Sequence, residues 1–247
     1  MRSHTVFMLF VLISPSLFAQ SALWSKAVDI LAANLDWLPA TVTMQFEMVD
    51  KDGQADMTTV STFKVSLDDD GEVQSELVKM VRDGEDVTEK EVQKQQKERK
   101  ADAKVQVGEN ADSSEDQHMA FSLTDSPFHP DNQGKIQLTP LDEKKTIDGI
   151  ICQRFDYRLP LAENSRIGTV WLDAETGAPV LHEFTTEPLP PRVKEMTNSV
   201  RFHYTADGDF YTTQASFAGV GGFLFIKKSF RGTITFADYW RHPTGEN

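Results

Sequence analysis

The stretch 166–191 constrains this chain more than any other. Two β-rich runs, 167–173 and 179–186, flank Ala174-Glu175-Thr176-Gly177, and Gly177 supplies the φ > 0 position that a short hairpin loop needs. Pairing Trp171 with Val180 places Ile167, Thr169, Trp171, Val180, His182 and Phe184 on one face. Val170, Leu172, Pro179, Leu181 and Glu183 then share the other. Both faces are largely apolar, whereas an antiparallel sheet with one side in water is polar on that side. Each face therefore needs a cover. A helix is the expected cover for one, a partner or ligand for the other.

Around this hairpin the 247-residue chain reads as an antiparallel meander. Trp24, Ala27, Val28, Leu31, Leu35 and Leu38 recur at helical spacing up to Pro39, which predicts an amphipathic helix lying across a sheet. Runs 40–50, 58–67 and 72–82 read as strands around the turns 51–54 and 68–71. Thr88-Glu89-Lys90-Glu91 is a capping box. The helix it starts is almost wholly charged or Gln, so 88–117 reads as a projecting charged insertion. Runs 135–139, 146–159, 193–205, 210–217 and 222–240 supply further strands, with Gly219-Val220-Gly221-Gly222 as a flexible bend. The expected fold is mainly β (α+β): a curved antiparallel sheet of about ten strands forming an incomplete barrel, covered by a few helices.

Residues 1–19 read as a cleaved secretory signal peptide: Arg2 and His4, an apolar run over 6–13, then Ser14-Pro15-Ser16-Leu17-Phe18 leading to the small residue Ala19. The apolar run is shorter than the roughly 20 residues that a membrane span needs. Residues 20–247 are expected to form a single exported, periplasmic domain. A formal charge of −13 argues against nucleic acid and anionic membrane surfaces as partners.

The search for reactive chemistry finds little. The chain carries no GxSxG elbow, no HExxH and no phosphate-binding glycine loop. Cys152, the one cysteine, reads as a small buried side chain. The acidic turn 68–70 lacks the ligand spacing of an EF-hand. His118, Asp125 and His129 fall near one another in an irregular loop, but no third convincing ligand joins the histidines to form a metal site. Neither a catalytic residue, a metal site nor a cofactor is assigned, and the chain is expected not to be an enzyme.

What remains is an excess of large apolar side chains on alternating positions. Met44, Phe46, Met48, Phe63, Val65, Trp171, Phe184, Phe202, Leu224 and Ile226 are the candidates for an apolar ligand-binding cavity. Most such residues serve as plain core. An incomplete barrel, however, leaves its concave face partly unfilled and open to an acyl chain, and methionines adapt to irregular ligands.

The hairpin carries a resemblance. Gly168, Trp171 and Asp173, followed by Pro179, match the "G-x-hydrophobic-Trp-hydrophobic-Asp" hairpin of the periplasmic outer-membrane lipoprotein carriers and their relatives, the LolA/LolB-like superfamily. In layout the chain resembles that superfamily throughout; in residues the match is this hairpin alone. The resemblance implies an unclosed β-barrel with a helical lid and an apolar cavity for lipids or the acyl chains of lipoproteins, with no cofactor. It implies a carrier or binding protein in outer-membrane lipoprotein sorting or lipid transport. The alternative is a cell-envelope protein–protein interaction or assembly module without lipid cargo. The insertion 88–117 and the proline-rich crossing 188–191 do not map onto the carriers, and no functional residue transfers.

Overall fold

A computed structural model describes residues 15–50, 52–68, 71–105, 125–223 and 226–242; of 15–21, 98–105, 223 and 226–227 only the backbone is described. The apolar run of the signal peptide, the stretch 108–117, His118 and Leu224 lie outside the described residues. Helix α1 (Pro15–Ala32) precedes β1 (Trp37–Val49), β2 (Ala55–Leu67), β3 (Val73–Arg82) and the short β4 (Glu85–Asp86). Helix α2 (Thr88–Val105) follows, then a turn of 3-10 helix (Pro130–Asn132). The chain continues through β5 (Gln137–Ile147), β6 (Ile150–Pro160), β7 (Ser165–Asp173) and β8 (Pro179–Glu187). It ends with β9 (Val193–Tyr204), β10 (Phe210–Phe223) and β11 (Ile226–Arg241).

These strands form one antiparallel sheet in the order β4-β3-β2-β1-β11-β10-β9-β8-β7-β6-β5. The first long strand and the last lie side by side in the middle of the sheet, β1 pairing with β11 and Leu38 standing opposite Trp240. Its two free edges, β4 and β5, are the strands that flank α2 in the chain. The barrel is therefore unclosed, as expected from the sequence, and its free edges lie on either side of the charged insertion.

Paired residues share a face, so the register defines the inner surface. One row crosses the sheet as Phe155, Val170, His182, Val200, Ala215, Ile234 and Met44. The neighbouring row runs Tyr157, Gly168, Phe184, Asn198, Phe217, Gly232 and Phe46. In this second row glycines stand beside aromatic rings. A methyl group at Gly232 would lie 2.6 Å from Cε1 of Phe217, and one at Gly168 would lie 2.8 Å from Cβ of Phe184. Glycine at these positions lets the rings lie over the backbone and the strands coil.

Trp24, Ala27 and Leu31, spaced three and four residues apart, pack as one stripe of α1 onto Phe155, Leu159, Val170, Leu172 and Phe210. The helix covers the β5–β10 part of the inner face. It ends earlier than the spacing predicts: Leu35 is exposed and Leu38 belongs to β1. Buried Asn34 explains the stop. Its Nδ2 donates to the Ile30 carbonyl (2.9 Å) and the Gly208 carbonyl (3.2 Å), and its Oδ1 accepts from the Phe210 amide (3.2 Å). The end of the helix is thereby tied to the β9–β10 turn.

Three further expectations are corrected. Gly219–Gly222 is no bend: these glycines lie within β10 and pair with β9 and β11. The capping box at Thr88 does not close on Glu91. The Glu91 amide bonds to the Val87 carbonyl, the Asp86 carboxylate accepts from the Thr88 amide, and the Thr88 hydroxyl reaches Asp86 and Met80. The third correction concerns the hairpin register. Leu172 pairs with Pro179 as expected, but a bulge then makes Trp171 pair with Leu181 instead of Val180. Trp171 and Phe184 consequently stand on opposite faces, because one extra residue flips every side chain beyond it.

Candidate functional site

The inner face encloses a cavity of about 210 Å³ at the C-terminal end of α1. Leu31 and Asn34 cap it; Leu38 of β1 and Phe236 of β11 form one wall. Phe184 of β8, Val200 and Phe202 of β9 and Phe210 of β10 form the other. Ser126 and Arg166 add polar groups, with Tyr211 and Tyr239 also at the cavity wall. Leu38 and Arg166 stand on strands five spacings apart, roughly 24 Å in a flat sheet. That both line one cavity of this size is the direct consequence of the sheet's curvature.

The floor is polar. Arg166 is only 6 % exposed. Its Nη1 donates to the Asp125 carbonyl at 2.6 Å, its Nη2 lies 3.5 Å from the Asp125 carboxylate, and its guanidinium sits 4.5 Å above the Phe184 ring. Buried Nε has no hydrogen-bond partner among the described residues. Burial lowers the Arg166 pKa from its ordinary value, yet the group remains a cation. His182 stacks on Phe184 at 4.6 Å, and its Nε2 lies 2.5 Å from the Tyr157 hydroxyl. Burial, with Arg166 adding to it, pulls His182 down to about 3, and burial pushes Tyr157 up. Both are neutral at physiological pH, which leaves Arg166 as the charge facing the cavity from β7.

The segment before β5, read from the sequence as an irregular loop, is a built plug. Gln133 accepts from Trp24 Nε1 (2.9 Å) and donates to the Pro127 (2.8 Å) and His129 (3.0 Å) carbonyls; Asn132 donates to the Ser126 carbonyl (2.9 Å). These bonds hold Phe128, fully buried, against Trp24 at 5.1 Å between ring centres. They also place Ser126 and Asp125 beside Arg166.

The sequence candidates divide. Phe184 and Phe202 line the cavity. Met44 and Phe63 pack on the adjoining inner cluster of Val42, Val65, Val200, Ala215 and Ile234, of which Val65 is a fully integrated member. Phe46 faces Phe217 at 6.3 Å, and Met48 pairs with Phe230 along the same strand face. Trp171 is not with them. It is buried on the outer face with Ile147, Cys152, Val180 and Leu181, under Lys145 Nζ at 5.4 Å. Ile226 begins β11 opposite Phe223, its side chain outside the description. His129 caps the 3-10 turn through Nδ1 (3.3 Å to the Asp131 amide), and Asp125 serves Arg166. No group of three or more metal-ligating side chains occurs among the described residues. Cys152 is buried, and burial with Asp173 nearby pushes its thiol up to about 11, far from thiolate reactivity.

Arg166, Tyr157, Phe210 and Phe236 were not among the sequence candidates. The signal for Arg166 was present: Arg166, Gly168, Val170 and Leu172 alternate onto one strand face, so a cation stands in line with an apolar row. A second, shallower opening of about 480 Å³ lies where β8 and β9 part after only four residue pairs. Its lining mixes Ile167, Phe217 and Ala218 with Thr169, Glu183, Thr185 and Ser199.

No protein-family model matches this chain, and no curated protein matches it. Among solved structures, the complex of Pseudomonas aeruginosa MucA/MucB is similar at 8 % identity and a TM-score of 0.23, covering 91 % of this chain and 99 % of the other. A crystal structure of MucB in complex with MucA(peri) is similar at 9 % identity and a TM-score of 0.23, covering 91 % and 100 %. Likeness at this level assigns the chain to no family.

Proposed function

We propose that this chain is an exported, periplasmic binding protein that shelters the hydrocarbon of a lipid or acylated protein against its concave sheet, a divergent relative of the lipoprotein carriers, acting without bond chemistry. One observation carries the reading: the apolar cavity walled by Leu38, Phe184, Val200, Phe202, Phe210 and Phe236 opens onto an inner face that α1 covers only in part. Each CH₂ sheltered there contributes about 0.8 kcal/mol, so a chain of moderate length is held without specific polar contacts. The cavity is smaller than the ~300–1,000 Å³ of drug-sized sites, which favours one chain over a two-chain lipid.

The test is native mass spectrometry of protein purified from the periplasm, followed by solvent extraction. A co-purifying acyl compound, and uptake of a fluorescent fatty acid by the emptied protein, are expected. Protein that is empty and takes up no probe would end the reading. N-terminal sequencing of the same sample should begin after Ala19.

A second reading, an envelope interaction module, draws on α2. This helix packs along β3, and its surface is charged, with Glu91 near Arg82 (4.0 Å) and Lys94 (3.6 Å). On that reading, deleting 89–117 abolishes partner pull-down while fatty-acid uptake persists.

A further inference from the structure

Arg166 is an expensive feature for a cavity that only shelters hydrocarbon. A buried cation is costly unless a charge and hydrogen bonds compensate it. Its one charged neighbour among the described residues, the Asp125 carboxylate, is 3.5 Å away and 43 % exposed, so the compensation is weak. Asp125 faces the end of the guanidinium, through Nη1 and Nη2; on the side edge formed by Nε and Nη2, the buried Nε–H has no partner among the described residues. Phe184 covers one face of the group. The remaining polar neighbours, Tyr157 and His182, satisfy each other.

We propose that this edge of Arg166 is the anchor for a carboxylate, and that the cavity takes a small monocarboxylic acid, or the acid end of a longer chain, with its charged group inward and its hydrocarbon against Phe184 and Phe202. The inference rests on the reading of the cavity as a hydrocarbon site and adds to it the identity of the head group. A carboxylate brings a single charge and two oxygens that match the planar fork of a guanidinium. A dianion such as phosphate would leave excess negative charge against apolar walls. Size agrees: a cavity of about 150 Å³ admits benzene, so 210 Å³ suits an acid of roughly eight to ten non-hydrogen atoms.

The experiment is calorimetric titration of the whole protein with octanoate and with octan-1-ol, repeated for Arg166→Met and Asp125→Asn. The wild type should bind octanoate at least tenfold more tightly than octanol. Asp125→Asn, which removes the competing carboxylate at a half-exposed position, should tighten octanoate several-fold and leave octanol unchanged. Arg166→Met should reverse the preference; the wild-type and Asp125→Asn comparisons decide the matter even if this variant does not fold. Octanol bound as tightly as octanoate by the wild type, or octanoate displaced by equimolar inorganic phosphate, overturns the carboxylate anchor while the hydrocarbon reading stands. Binding of neither compound overturns both.

Discussion

The Tyr157 hydroxyl and Nε2 of His182 lie 2.5 Å apart, both buried, with Arg166 close enough to oppose protonation of the imidazole. Nothing near His182 rewards its charged form, so folding keeps it neutral.

That arrangement makes stability depend on pH. The unfolded chain protonates His182 below its ordinary value of 6.5, the folded chain only near 3, so protons bind the unfolded state preferentially in between. Stability contributed by neutral His182 is complete above pH 6.5 and is lost as pH falls toward about 3, at up to ~1.4 kcal/mol per pH unit. Urea unfolding at pH 7, 6, 5 and 4 should show this fall, and His182→Gln should flatten it. Equal slopes for the two proteins would show that another group carries the effect.

Trp24 joins helix, plug and sheet. It contacts Phe128 and Phe155 (5.8 Å between ring centres) and donates to Gln133. Trp24→Ala should cost about 3–5 kcal/mol, as for other large-to-small aromatic deletions, read as a lowered urea midpoint. Trp24→Phe keeps the ring contacts and should cost much less.

Gly177 has φ +81 and lies against α1: a Cβ there would come within 2.8 Å of Lys26 Cβ and 3.0 Å of the Leu23 carbonyl. Left-handed backbone costs an alanine on the order of 1 kcal/mol, and the collision with the helix adds to it. Gly177→Ala should lower stability by roughly 1–3 kcal/mol. Gly53, equally left-handed at φ +82 but with open space around it, should lose less on the same change. Thermal melts of the two variants side by side check the difference.

The two faces of the sheet should separate functionally. Phe202→Asp puts a charge into the cavity wall and should abolish uptake of a fluorescent fatty acid. Trp171→Phe alters the outer cluster with Cys152 and Leu181 and should leave uptake unchanged, measured against stability for both. Loss of uptake in Trp171→Phe at wild-type stability would contradict the cavity assignment.

Alternation and spacing determined much of this molecule unaided. The stripe Trp24, Ala27, Leu31 specifies which side of α1 is buried, and the turns at Gly53 and Gly71 specify the β1–β2 and β2–β3 hairpins, because these are local consequences of helical pitch and of backbone that tolerates positive φ. Met44, Phe63, Phe184 and Phe202 share one face by the same period-two rule. What the chain could not announce were the bulges and the distant pairings. The bulge between Trp171 and Leu172 adds one residue, Val180, on the β8 side and so sends Trp171 outward, which no alternation of apolar residues announces. Pairing of β1 with β11 brings Leu38 and Phe236 beside Arg166 and Phe184, residues separated in sequence and joined only by the curvature of the sheet. Local chemistry made the strands; long-range packing decided which residues surround the cavity and left a guanidinium at its floor.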